Sequence, residues 1–350
     1  MQRTFKFTIA AVIAILIGGT AYVFLDNENS LVMTEPTGYI TFSALEESTN
    51  RNYPHAFNVA SGEFVSIQND KETFYIETEP VENEYSYIQA AYLERSDDDP
   101  YYPYAGSPVL VSPNATLELD VINPGKLSKS PVGEIYTFEA LSRVLTDSTD
   151  PSFYFASDNY QDSLNWSIYI ADPINKQVFE HTRGHSPVWS KDGSYIFYLS
   201  VSGLNVFELA SGMSWSIASL PERLPTPVSS LALSSNGDEL FVLTTATAIT
   251  PDRLFVYDVS DLSTQQLNNV DLKLKRIVDM PEGNHLDFVL SPDANHAVVT
   301  TYGDDYFELH LLNLQTTQIS KELLFRWDGL EKYFHYPFVS WTNLSPTMFD

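Results

Sequence analysis

Residues 186–212 read SPVWSKDGSYIFYLSVSGLNVFELASG. Three apolar runs, Ser186–Trp189, Tyr195–Leu199 and Asn205–Ala210, are separated by Lys191-Asp192-Gly193 and by Ser202-Gly203. Asp-Gly between apolar runs is a hairpin signal, because Gly accepts the positive φ that tight turns need. Each run is too short for a helix and is rich in Tyr, Ile, Phe and Val, which favour the pleated backbone. The stretch therefore predicts three antiparallel strands in succession.

The same pattern recurs along the chain. Ser186–Gly193 aligns with Ser230–Gly237 (SLALSSNG) and with Asp287–Ala294 (DFVLSPDA). A hydrophobic run follows each copy (YIFYLS, ELFVLTT, AVVTTY), and a further run ends in a polar turn (LNVFELASG, RLFVYDVS, FELHLLNLQTTQ). Trp189, Leu233 and Leu290 mark the period, with spacings of 44 and 57 residues. Repeats of this length built from short strands point to propeller blades. One four-stranded sheet cannot bury both of its faces, whereas sheets packed radially around an axis can.

The motif P-x-W-S-x-D-G-x-x-I-x-Y-x-S, followed by a strand ending in Ser-Gly, resembles the TolB-type repeat, also called the WD40-like or PD40 repeat. It is strongest at 186–212, recognisable at 286–318 and 229–262, and weaker upstream. The resemblance implies an all-β propeller over residues 38–350 and says little about activity, since this fold serves many roles. Trp327-Asp328 lies in a polar segment and does not close a third strand as the classical WD40 signature would.

Counting copies predicts six blades, with seven as the alternative. Residues 38–67 supply three strands of a first blade, and His335–Trp341 (HYPFVSW) resembles an inner strand with no blade after it. Placing that strand in the first blade closes the ring with a clasp. The other blades are then expected at 72–122, 133–182, 186–220, 229–267 and 285–320. A seventh would come from treating 107–147 as a blade of its own.

Composition narrows the functional classes. The chain has 46 acidic and 19 basic residues, a formal net charge of −27. Such a surface opposes phosphate-mediated nucleic-acid binding. With no cysteine, disulfides, thiolate catalysis and Cys-type zinc sites are excluded. Arg3 and Lys6 precede the uncharged run Phe7–Leu25, and Asp26 and Glu28 follow it. Its length suits one membrane crossing. The basic flank predicts a cytoplasmic tip at 1–6, a transmembrane helix at 7–25, a linker at 26–37 and an acidic propeller on the extracytoplasmic side of a single-pass membrane protein. Two other readings stay open: a signal peptide cleaved near Gly19-Thr20-Ala21, and a pilin-like assembly helix, which lacks that family's Gly before Phe7 and its early Glu.

Catalytic signatures are missing: the sequence has no G-x-S-x-G, H-E-x-x-H, P-loop or G-x-G-x-x-G motif. His181 and His185 (HTRGH) have metal-like spacing but are expected in a loop between blades, so no metal site, catalytic residue or cofactor site is assigned. The candidate partner-binding residues are Asp97, Asp98, Asp99, Tyr101, Tyr102 and Tyr104 in one long loop, and Asp304 and Asp305 in another. On the six-blade alignment both loops share one rim. Carboxylates there suit a basic protein segment or Ca²⁺, and tyrosines on a Pro-stiffened loop suit a peptide or glycan. The same residues also read as a solvated acidic rim and as packing for their own loop, and the EF-hand spacing of ligands is not met. Trp189 and Trp341 match as inner-strand packing residues. The leading expectation is a non-enzymatic propeller that scaffolds or recognises a protein partner in an envelope complex. The alternatives are an enzyme or glycan-binding protein with a central pocket of carboxylates and aromatics, and a structural subunit of a surface filament.

Overall fold

The computed structural model describes residues 36–46, 51–66, 86–89, 108–122, 124–142, 166–200, 203–216, 228–244, 252–260, 262, 272–280, 284–302, 306–314, 319–328 and 339–342. They form antiparallel sheets. The first blade contains β1 (Tyr39–Glu46), β2 (Arg51–Asn58) and β3 (Phe64–Ser66). A separate three-stranded sheet follows, built from β4 (Tyr87–Gln89), β5 (Val109–Val111) and β6 (Thr116–Glu118). The second blade has a divided inner strand, β7 (Val121–Ile122) and β8 (Ser128–Lys129), then β9 (Tyr136–Ser142), β10 (Trp166–Asp172) and β11 (Gln177–Arg183).

The remaining blades run in chain order. The third is β12 (His185–Trp189), β13 (Tyr195–Ser200), β14 (Gly203–Glu208) and β15 (Met213–Ser216). The fourth is β16 (Val228–Leu233), β17 (Glu239–Thr244), β18 (Arg253–Asp258) and β19 (Lys273–Asp279). The fifth is β20 (Asn284–Leu290), β21 (His296–Tyr302), β22 (Tyr306–Asn313) and β23 (Ile319–Asp328). Finally β24 (Val339–Thr342) pairs antiparallel with β1, Trp341 opposite Ile40. The clasp expected from HYPFVSW thus forms, and the first blade is completed by the end of the chain.

The blade number differs from the expectation. The described residues form five blades, not six or seven. Residues 72–122 do not make a full blade, because β4, β5 and β6 are three residues each and Val121-Ile122 belongs to the next sheet. Ile88, Leu110 and Leu117 instead share a core with Leu119, Tyr136, Phe138 and Tyr169 of the second blade. The seven-blade alternative fails similarly, since 107–147 is divided between two sheets. The fourth and fifth blades extend past their expected ends, to Asp279 and Asp328. Residues 186–212 contribute two full strands and most of a third, and Trp327-Asp328 closes a fourth strand rather than a third.

The repeated S-x-D/N-G turn has a common construction. Ser190 Oγ donates to Asp192 (2.7 Å) and accepts the Tyr195 N–H (2.9 Å). Ser234 does the same with Asn236 (2.6 Å) and Glu239 (2.9 Å). Ser291 does so with Asp293 and with His296 (2.9 Å). Gly193 and Gly237 follow at φ 70° and 75°, and Ala294 takes that place at 55°, where a side chain is strained.

Hydrophobic seams hold the blades together. Phe197, Leu199, Leu231, Leu240, Val242 and Phe255 fill the seam between the third and fourth blades. Phe241, Leu243, Phe288, Val299 and Leu312 fill the next. Between the fifth blade and the first, Phe42 meets Phe307 edge-on at 5.1 Å, and Phe64 stacks on Phe325 at 5.4 Å. Burial on this scale is the main stabilising term, at about 1.5–3 kcal/mol for each large side chain.

Candidate functional site

The loop residues singled out from the sequence, Asp97, Asp98, Asp99, Tyr101, Tyr102, Tyr104, Asp304 and Asp305, lie outside the described residues. So does the 7–25 segment expected to cross the membrane. The described residues contain no helix long and apolar enough for that role. Among them no group of three His, Asp or Glu side chains could hold a metal ion. The polar site the structure does define lies elsewhere, at the inner strands.

Its geometry follows from the repeat. The bond from the Ser N–H across each first turn recurs as Ser130 to Ile135, Ser190 to Tyr195, Ser234 to Glu239 and Ser291 to His296. These bonds align the second to fifth blades residue by residue. Four positions further back, Lys126, Ser186, Ser230 and Asp287 are equivalent. At that level every one of these inner strands is irregular. The register slips between His185 and Val188, between Val228 and Ser230, and between His285 and Asp287. In the second blade the interruption is wide enough to divide β7 from β8. A bulge leaves backbone groups unpaired within its own sheet and turns them outward.

One such backbone group and several inner-strand side chains bond across the seams. The Ser186 N–H donates to the Glu139 carboxylate of the second blade. Ser186 holds φ at 52° to do so. The Ser230 hydroxyl donates to Asp287 Oδ1 at 2.8 Å, which joins the fourth and fifth blades. Asp287 Oδ2 is buried and accepts no hydrogen bond. The Trp189 indole N–H reaches the Ser128 carbonyl of the second blade at 3.2 Å, and that of Trp341 reaches Thr37 at 2.9 Å. Both Trp rings are buried, as expected.

Glu139 is the departure from the pattern. Its equivalents in the next three blades are Leu199, Leu243 and Thr300. Thr137, on the same face of β9, stands where those blades have Phe197, Phe241 and Val298. Glu139 is only 9% exposed. Space for it comes from Gly125, whose N–H bonds the Glu139 carbonyl at 2.6 Å and where a Cβ would overlap the Glu139 side chain. Burial pushes the Glu139 carboxyl up to about 7. The Ser186 N–H and Lys126 pull it down, and the nearby Asp287 charge adds to the rise.

Two histidines share this seam. His181 and His185 stand on β11 and β12, not in the loop expected for them. The His181 ring packs on Phe207 at 3.7 Å. His185 Nδ1 lies 3.3 Å from Ser186 Oγ. Burial lowers the pKa of both, His185 to about 4. Glu139 was missed in the sequence because FEALSRVL carries no motif. The signal that finds it is the alignment of Ser130-Pro131-Val132-Gly133 with Ser190-Lys191-Asp192-Gly193, which sets Glu139 against Leu199.

The sheets, the clasp and the radially packed inner strands define a β-propeller. No family model matches the sequence, and no curated protein does. Among solved structures, TolB from Acinetobacter baumannii is similar at 13% identity and a TM-score of 0.48, covering 88% of this chain and 67% of that one. A chain of the nidogen/laminin complex is similar at 7% identity and a TM-score of 0.51, covering 81% and 92%. The Cps50 (Swd1) β-propeller domain of Myceliophteria thermophila is similar at 11% identity and a TM-score of 0.48, covering 84% and 87%. All three are likenesses of fold.

Proposed function

We propose that this chain is a membrane-anchored, extracytoplasmic β-propeller that recognises a protein partner and performs no chemistry. One observation carries the reading: the polar groups at the inner strands are engaged with one another across the seams, Glu139 with the Ser186 N–H and Ser230 with Asp287. They tie blades together, which is what a scaffold needs. Recognition then falls to the loops, with Asp97–Asp99, Tyr101, Tyr102, Tyr104, Asp304 and Asp305 as the contact surface for a basic segment. The anchor at 7–25 holds the propeller at the membrane, oriented by Arg3 and Lys6.

The test is purification of the intact protein from membranes, with Asp97, Asp98 and Asp99 changed to Asn in a parallel sample. A stoichiometric partner retained by the wild type and lost from the variant supports the reading. An unchanged set of retained proteins overturns the assignment of the loop. Protease added outside intact cells should digest the propeller, and complete protection would overturn the orientation.

A second reading, a glycan-binding or hydrolytic propeller, is favoured by the charge coupling of Glu139 and Asp287 and by the unpartnered Asp287 Oδ2. Paired carboxylates serve such chemistry. Glycan binding that disappears in Glu139→Gln while the fold persists would replace the first reading by this one.

A further inference from the structure

The seam between the second and third blades is built differently from the others. Its apolar core is small: Ile168, Trp189, Ile196, Tyr198 and Phe207. At its inner end it holds Glu139, Thr137 and His185 at or beside positions that the next seam fills with Leu199 and Phe197. The Thr137 hydroxyl is buried with no hydrogen-bond partner. One of the bonds that cross this seam runs from a bulged, left-handed Ser186 to a carboxyl group. The charged and titratable groups around Glu139 are Lys126 from the interrupted inner strand of its own blade, His185 beside Ser186 on β12, and Asp287 on β20.

We propose that this seam is a pH-sensitive joint. Protonated Glu139 fits the closed seam, and opening becomes progressively easier as pH rises to about neutrality, because only an opened seam lets Glu139 ionise without remaining buried. An ionised Glu139 would be a buried charge that faces Asp287 and has Lys126 as its charged counterpart, and burying a charge is costly unless it is fully paired. The seams on the far side of the third blade carry no such group at the equivalent positions, so the loosening is local.

The directions are fixed by linkage. Glu139 ionises near 4.5 when unfolded and near 7 when folded. Between those values the unfolded chain binds fewer protons, and stability falls as pH rises. His185 takes a proton below 6.5 when unfolded and below about 4 when folded. Between those values the unfolded chain binds more protons, and stability rises with pH. The two windows overlap and offset each other in the wild type, so a difference between proteins is the diagnostic measurement.

The experiment compares full-length wild type with Glu139→Gln by chemical denaturation across mildly acidic to mildly alkaline pH. The wild-type folding constant, taken relative to Glu139→Gln, should fall by up to about tenfold per pH unit between 4.5 and 7 and then level off. Parallel profiles would overturn the proposal. Hydrogen exchange reports the location. After correction for intrinsic rates, the Ser186, Val188 and Trp189 amides of the wild type, taken relative to Glu139→Gln, should lose at least roughly tenfold in protection between pH 4.5 and 7 and then level off, with Phe241 and Val242 unchanged. Uniform loss across all blades, or none, would overturn the local joint. If Glu139→Gln does not fold, Asp287→Asn provides the test: removing the facing charge should move the exchange transition of the wild type to lower pH. An unmoved transition would overturn the electrostatic account.

Discussion

The seam between the third and fourth blades and the seam between the second and third use the same backbone frame. In the first, the second strand presents Phe197 and Leu199 to its neighbour, and both are buried among Leu231, Leu240 and Val242. In the second, the same two positions present Thr137 and Glu139. The first interface is held by area removed from water, which is indifferent to pH. The other is held by a smaller apolar core and by hydrogen bonds to ionisable groups. The difference teaches that the repeat specifies where side chains go and leaves open what they are. One blade can therefore trade stability for a titratable contact without altering the ring.

Substitutions can break or sharpen this contrast. The largest effect is expected from Phe197→Ala in the apolar seam. Truncating this fully buried ring should cost about 3–5 kcal/mol, read as a lower denaturation midpoint at every pH. Next comes Glu139→Leu, which gives the polar seam the residue of its neighbour. It should stabilise the protein above neutrality by up to about 3 kcal/mol, with little gain well below pH 4.5, where the wild-type carboxyl is protonated in both states. A gain of equal size at all pH values would mean that packing rather than charge separates the seams. Gly125→Ala should cost about 1–3 kcal/mol through overlap with Glu139. Combining it with Glu139→Ala should recover most of that loss, and simple additivity of the two would show that Gly125 serves another purpose. The smallest effect is expected from Trp189→Phe, which keeps a ring in the seam and deletes its N–H bond to Ser128, at about 1 kcal/mol in thermal denaturation.

Much of the architecture was legible in the sequence, because Ser-x-Asp-Gly turns and alternating strands are local signals. The clasp was legible because HYPFVSW repeats the inner-strand pattern of residues 186–189. The blade count was not. Val109–Val111 and Thr116–Glu118 look like blade strands, and only their pairing with each other and of the first with β4 separates them from the second blade. The inner-strand site was hidden for a related reason. A Glu in TFEAL reads as a surface residue on one strand, and its burial depends on Gly125, fourteen residues earlier, and on Ser186 of the next blade. Register between strands and between blades, which decides both contacts, is a property of the assembled sheets and not of any one segment.

The pairing of β24 with β1 also has a consequence for biosynthesis. Tyr39–Glu46 is made early, yet its inner-strand partner, Val339–Thr342, is made some three hundred residues later. Throughout that interval one edge of the first sheet has open N–H and C=O groups and an uncovered Ile40 and Phe42. Such an edge is a template for wrong pairing. The ring can shut only after residue 342 has emerged, so a chain that stalls or is clipped just before Val339 retains nearly all its strands and still presents an adhesive edge.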